Sequence, residues 1–148
     1  MNNNLIYITY QTFPAQTANS LQTISNIRYL VKNGVRVKLY FPLREKQSTS
    51  DIKSLQNFYQ FKESFESFGV EHPYPHGKIK FIPKFWFHLS HVLWSRKLIK
   101  KSFKNDRDNY FFTRSDWIAY FLGKQGSNVV FECHQTSKVR NFVIKKIG

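Results

Sequence analysis

The sequence predicts an α/β protein, an open parallel sheet with helices on both faces. Three observations lead there. Short runs rich in apolar, β-branched and aromatic residues occur at "NLIYITY" (4–10), "VRVKLYF" (35–41), "NYFFTRS" (109–115) and "NVVFECH" (128–134). Segments with apolar residues at helical spacing separate most of them, and strands alternating with helices favour a parallel sheet. With 148 residues, 41% apolar and 18% aromatic, the chain can bury one substantial core.

"NLIYITY" reads as a buried strand. Asn19 with Gln22 resembles a capping box that opens a helix. Leu21, Ile24, Ile27 and Val31 form that helix's apolar stripe, and Asn33-Gly34 closes it. "VRVKLYF" then alternates and stops at Pro42, which completes a βαβ unit with an expected right-handed crossover.

"STSDIKSLQNFYQFKESF" begins with helix-capping residues and carries Ile52, Leu55, Phe58 and Phe65, so it predicts a helix. "FGVEHPYPHGKIKF" (68–81) is interrupted by Pro73, Pro75 and Gly77, and predicts a short strand plus a loop. Pro83 suits a first helical position, and a long helix follows through "PKFWFHLSHVLWSRKLIKKSFK". After the strand "NYFFTRS", "DWIAYFLGKQG" is a short helix ending in glycine. "NVVFECH" is a further buried strand, and "TSKVRNFVIKKIG" starts a last helix. No repeat, linker or low-complexity tract divides the chain, so residues 1–148 are expected to form one domain.

Composition excludes several classes. No uncharged apolar run reaches the ~18 residues a membrane span needs. "MNNNLIYITY" has neither a basic region nor a small-residue cleavage site, so no signal peptide is read. A single cysteine, Cys133, excludes an internal disulfide and fits a reducing compartment, which predicts a cytoplasmic location. The formal net charge of +14 favours an anionic partner: nucleic acid, lipid headgroups or phosphorylated substrates. Compositional drift toward Lys and Asn is the plainer source of the same charge.

Ligands of open α/β sheets bind at the carboxyl ends of the strands. The first strand ends in Gln11, Thr12, Gln16 and Thr17, the strand at 109–115 in Thr113, Arg114 and Ser115, and the last in Glu132, His134, Gln135 and Thr136. Such hydroxyls, amides and charges suit a ligand dense in hydroxyl groups, because each sugar OH both donates and accepts. Thr113, Ser115 and Thr136 equally suit the caps of the helices that follow. His134 leaves a buried strand where the sheet opens, as a hydrogen-bonding group or base, or simply as a residue that caps the strand. Glu132 is expected on the same side to orient it, with Cys133 packed on the other.

No metal site is predicted. His72 and His76 flank prolines, and His88 and His91 are three apart on a helix with no acidic or thiol partner. The glycine fingerprints of dinucleotide and P-loop sites are missing too.

At about 100° per residue, Ile82, Phe85, Trp86, Leu89, Val92, Leu93, Ile99 and Phe103 of the long helix fall on one broad face, assigned to the sheet. Phe87, Trp94 and Leu98 form a narrower stripe on the far side. Lys97 and Lys101 border that stripe, and Lys100 and Lys104 extend its basic end. Aromatics among lysines suit contact with an anionic membrane surface, and equally a stripe that another element of the domain covers.

"YITYQTFPAQTANSLQTISNIRYLVKNGVRVKLYFP" and "YFFTRSDWIAYFLGKQGSNVVFECHQTSKVR" resemble the N-terminal, acceptor-binding domain of GT-B glycosyltransferases, specifically glycosyltransferase family 4. The likeness covers both ends of the chain, and residues 43 to 108 follow it in outline. It implies a Rossmann-like domain, the incomplete N-terminal half of a GT-B fold, facing a C-terminal domain that binds the nucleotide sugar. His134 would then reach toward the transferred sugar, and the loop from Gln11 to Asn19 would lie beside the donor diphosphate and the acceptor. Family members more often carry glycines in that loop.

The donor domain with its E-x7-E motif does not follow before Gly148, and the Glu63/Glu71 pair that has this spacing lies in the wrong half. The chain alone is therefore expected to be inactive. The complete enzyme would move a sugar from a nucleotide-sugar donor, used as substrate with no cofactor, to a lipid-linked or polysaccharide acceptor on the inner membrane face. A sugar-nucleotide epimerase of the same architecture would look alike at this level. The competing class is a basic, non-enzymatic module for nucleic acid or anionic surfaces. No helix-turn-helix, ribonucleoprotein or oligonucleotide-barrel motif supports nucleic acid.

Overall fold

A computed structural model describes residues 4–73, 84–133 and 138–147. Five parallel strands, β1 (Asn4–Ile8), β2 (Arg36–Leu43), β3 (Glu66–Glu71), β4 (Tyr110–Thr113) and β5 (Asn128–Phe131), form one open sheet in the order β3-β2-β1-β4-β5. The helices are α1 (Ala18–Lys32), α2 (Ile52–Tyr59), α3 (Lys84–Ser102), α4 (Asp116–Lys124) and α5 (Lys138–Ile147). This is the Rossmann-like α/β architecture that the alternation of apolar runs predicts.

Side chains alternate across the sheet, so each strand feeds two cores. On one face Tyr7, Val37, Leu39 and Phe41 pack with Ile24 and Ile27 of α1 and Leu55 of α2. On the other, Ile6, Ile8 and Phe111 pack with Trp94, Leu98, Ile99, Ile118 and Leu122 of α3 and α4. Helices therefore cover both faces.

The first βαβ unit forms as expected, with two differences in detail. Thr17, rather than Asn19, caps α1, its side chain accepting from Ser20 N at 3.2 Å. Leu21, expected in the buried stripe, is half exposed. The helix ends at Asn33-Gly34 as read. Gly34 has φ +80, its N–H donates to Val31 O, and Val35 N–H donates to Leu30 O, the paired bonds of a Schellman ending.

The middle region departs further. α2 stops at Tyr59 because Gln60 turns left-handed (φ 54), and the Gln56 side chain donates to Glu63 O beyond the helix. Phe58 is exposed, whereas Phe61 and Phe65 stack in the core from outside the helix. β3 begins at Glu66, earlier than the segment 68–81 that the prolines delimit. Pro75, Gly77, Ile82 and Pro83 lie outside the described residues.

The face assignment of α3 is corrected. Trp94 and Leu98, read as an outward stripe, are 1% and 3% exposed and belong to the core, and Phe87 packs against the same cluster. Trp86 and Leu93, assigned to the sheet, point outward at 50% and 41% exposure, whereas Ile99 and Phe103 are buried as expected. Apolar residues occur all round this helix, so periodicity alone could not choose its buried side. Lys97, Lys100, Lys101 and Lys104 are exposed. Among the described residues, no helix is long and apolar enough to cross a membrane.

Candidate functional site

In the order β3-β2-β1-β4-β5, the chain leaves β1 toward one side of the sheet and enters β4 on the other. The connections diverge between β1 and β4, which opens a crevice at their carboxyl ends. A cleft of about 430 Å³ lies there. Its lining runs from Thr9 to Thr12 after β1 and includes Thr17, Asn19 and Ser20 around the start of α1. Arg44 after β2, Phe87 and His91 of α3, and Arg114, Ser115 and Asp116 at the β4–α4 turn complete it. A larger hollow of about 640 Å³ between α3 and α4 involves Asn105 and Gln125, toward the opposite edge of the sheet.

The turn after β1 contains no glycine, and side chains hold it instead. Phe13 is fully buried edge-on against Phe41, and its carbonyl accepts from Thr49 N at 2.9 Å. The Tyr59 hydroxyl accepts from Ala15 N at 2.7 Å and lies 2.9 Å from Ala15 O. The peptide between Phe13 and Pro14 is cis. Within the cleft, Gln11 Oε1 accepts from Thr23 Oγ1 at 3.2 Å, which ties this amide to α1.

An aromatic and imidazole cluster forms the opposite wall. Tyr10 stacks on His91 with ring centroids 3.8 Å apart, and its hydroxyl lies 2.6 Å from His72 Nε2 and 3.1 Å from Ser90 Oγ. His91 Nε2 lies 2.6 Å from Ser115 Oγ. Burial, then the charge of Arg44 and the neighbouring His88 and His72, pushes His91 down to about 3. The imidazole is therefore neutral near physiological pH, able to share a hydrogen bond without adding charge.

Two arginines supply the cleft's positive charge. The Arg44 side chain is 12% exposed and packs its guanidinium over the Tyr10 and Phe87 rings, at 4.9 and 5.3 Å from the centroids. Arg114 is 11% exposed, with Nε 3.6 Å from Glu132 Oε2.

Of the residues expected at the site, Gln11, Thr12, Thr17 and Arg114 line this cleft together. Gln16 is exposed and does not line it. Thr113 is fully buried, its Oγ1 accepting from Ser115 N at 3.0 Å, so it holds the turn instead of facing a ligand. Ser115 precedes α4 as a cap residue would, but its side chain makes no cap bond and is turned to His91. Glu132 stands beside Arg114. β5 ends at Phe131, so strand alternation does not carry on to Cys133, which is exposed instead of packed. His134, Gln135 and Thr136 lie outside the described residues.

Sequence reading missed Arg44, Tyr10 and His91. Arg44 had a usable signal, since it follows β2 as Gln11 follows β1, on the same ligand-bearing edge. His91 had none, because a histidine on a helix says nothing about which strand end it will meet. Among the described residues, no three His, Cys, Asp or Glu side chains come together as a metal site. No family model matches the chain, and neither does any curated protein or solved structure.

Proposed function

We propose that this chain is the acceptor-side domain of a GT-B glycosyltransferase of family 4 type. In that role it acts with a second, donor-binding domain to move a sugar from a nucleotide-sugar donor to a lipid-linked or polysaccharide acceptor. One observation carries the reading beyond the sequence resemblance. The cleft at the β1/β4 switch point is lined by hydroxyls and amides, several of them on the glycine-free turn after β1, and by two arginines that follow β2 and β4. Those groups match a ligand that presents many hydroxyls and negative charge, and not the close backbone approach of a dinucleotide.

In this role the cleft positions the acceptor hydroxyl. Glycosyl transfer breaks the bond between the anomeric carbon and the donor diphosphate and forms one to the acceptor oxygen. Positioning and electrostatic stabilisation of the departing diphosphate supply the acceleration. The net charge of +14, with Trp86 and Leu93 outward on a helix that ends in exposed lysines, supports peripheral contact with an anionic inner membrane face.

The test is a titration of the ¹⁵N-labelled chain with neutral oligosaccharides and with nucleotide sugars, followed by amide shifts. Saturable changes at Gln11, Thr12 and Ser115 are expected with an oligosaccharide. Salt-sensitive binding of duplex DNA or RNA at these positions, with none by any saccharide, would replace the reading with the nucleic-acid one.

A further inference from the structure

We propose that Arg44 and Arg114 form a paired anion site in the cleft, built to hold a phosphate or diphosphate group carried by the acceptor. The site itself stands on the geometry, and its assignment to the acceptor rests on the glycosyltransferase reading.

β2 and β4 are the two neighbours of β1 in the sheet, and Arg44 and Arg114 each follow one of them. Their guanidinium groups therefore come to one cleft from both sides of the β1 end. Both side chains are nearly enclosed, yet Arg44 Nε and Nη1 and Arg114 Nη1 are buried with no hydrogen-bond partner among the described residues. Each arginine has one carboxylate in ion-pair range but beyond hydrogen-bond distance: Glu45 Oε1 is 3.8 Å from Arg44 Nε, and Glu132 Oε2 is 3.6 Å from Arg114 Nε. Charge-assisted pairs close to about 2.7–2.9 Å.

A guanidinium cannot shed its proton to escape burial, so unbonded N–H groups in such a place call for an anion. The aromatic rings of Tyr10 and Phe87 pack on Arg44, and such face packing keeps the in-plane N–H edge available for a forked contact. Phosphate fits better than a lone carboxylate. Two guanidinium groups from separate strands can divide the several oxygens of one phosphate between them, and the Thr17 and Ser20 hydroxyls lie in the same cleft at the start of α1, whose first turn has no acidic residue. Asp116 also lines the cleft and, with Glu45 and Glu132, offsets the arginines' charge, so the forked N–H contacts rather than net charge carry the anion's binding.

Calorimetric titration of the full chain with inorganic pyrophosphate, farnesyl phosphate and farnesol tests the site. Both phosphates are expected to bind and farnesol not to. Farnesyl phosphate binding much the tighter identifies a lipid-linked phosphate, and equal or tighter pyrophosphate binding identifies a free one. Arg44→Gln and Arg114→Gln should each weaken pyrophosphate about tenfold or more. Replacing Lys97 and Lys100 together by Gln should leave the affinity unchanged.

Equal weakening by the lysine changes, or none by the arginine changes, overturns the proposal. Should an arginine variant fail to fold, the unaltered protein still decides. Pyrophosphate must shift the side-chain Nε–Hε signals of two arginines, and a titration that shifts none refutes the pair. Pyrophosphate binding at this pair with no saccharide bound at all keeps the anion site and removes the glycosyltransferase reading. Saccharide binding without phosphate binding does the reverse.

Discussion

His91, in the middle of α3, reaches the β4–α4 turn, where its Nε2 lies 2.6 Å from the Ser115 hydroxyl. That bond, with the stacking on Tyr10, joins the helix that crosses the sheet to the strand end that carries Arg114.

The neutral state of His91 makes the fold sensitive to acid. Its folded value of about 3 lies below the ordinary 6.5, so between those values the unfolded chain binds a proton that the folded chain refuses. Its contribution is whole above pH 6.5 and is lost as pH falls from 6.5 toward 3. Urea unfolding at about pH 7 and about pH 4.5 should show His91→Gln losing less stability than the parent chain, by roughly 2–3 kcal/mol. Equal losses in the two proteins would show that His91 is protonated in the fold.

Glu63 accepts from Arg28 Nε at 2.9 Å and lies 3.1 Å from Lys32 Nζ. The Arg28 hydrogen bond comes first among the causes that hold its carboxyl down to about 2. Its stabilising effect is present above 4.5 and disappears as pH falls from 4.5 toward 2. Glu63→Gln should melt below the parent at neutral pH, and the gap should close across that window.

Gly69 pairs with Phe41 across β2 and β3, and a Cβ there would sit 2.5 Å from Leu43 Cδ2 and 2.7 Å from Cγ. Gly69→Ala should destabilise by about 1–3 kcal/mol, as overpacked sites do. Adding Leu43→Ala should recover part of that loss. A double-mutant cycle with no coupling would place the strain elsewhere.

The two faces of α3 give opposite expectations for two tryptophans. Trp94→Ala should cost about 3–5 kcal/mol, because the indole is fully enclosed in the core. Trp86→Ala should cost clearly less than Trp94→Ala, because about half of the Trp86 surface already meets solvent. Chemical denaturation separates the two, and a large loss at Trp86 would reverse the orientation of the helix.

Charge reversal at Lys97, Lys100, Lys101 and Lys104 to Glu should abolish co-sedimentation with vesicles containing anionic lipid, while leaving the melting temperature close to the parent's. All four side chains point to solvent, so the change acts on the surface field. Sedimentation that persists would detach membrane contact from this helix end.

The parallel alternation was legible because burial writes a local record. A strand covered on both faces is apolar along its length, and a glycine-ended helix shows its ending in Asn33-Gly34. The α2 ending was not legible, because no residue type marks Gln60 for a left-handed turn, and the bond from Gln56 to Glu63 forms only once the chain has folded back.

Part of the site was readable for the same local reason. Gln11, Thr12, Thr17 and Arg114 follow strands, and in an open α/β sheet that places them on the ligand-bearing edge. Which strand ends become neighbours depends on strand order, and strand order is set by packing between segments far apart in the chain. Only the folded sheet brings Arg44 after β2 and Arg114 after β4 to opposite sides of the β1 end. Only the folded core turns Trp94 inward on a helix that is apolar on every side. The alternation of strands and helices followed from residue pattern alone, whereas the meeting of two arginines and a histidine in one cleft came from contacts that no local pattern encodes.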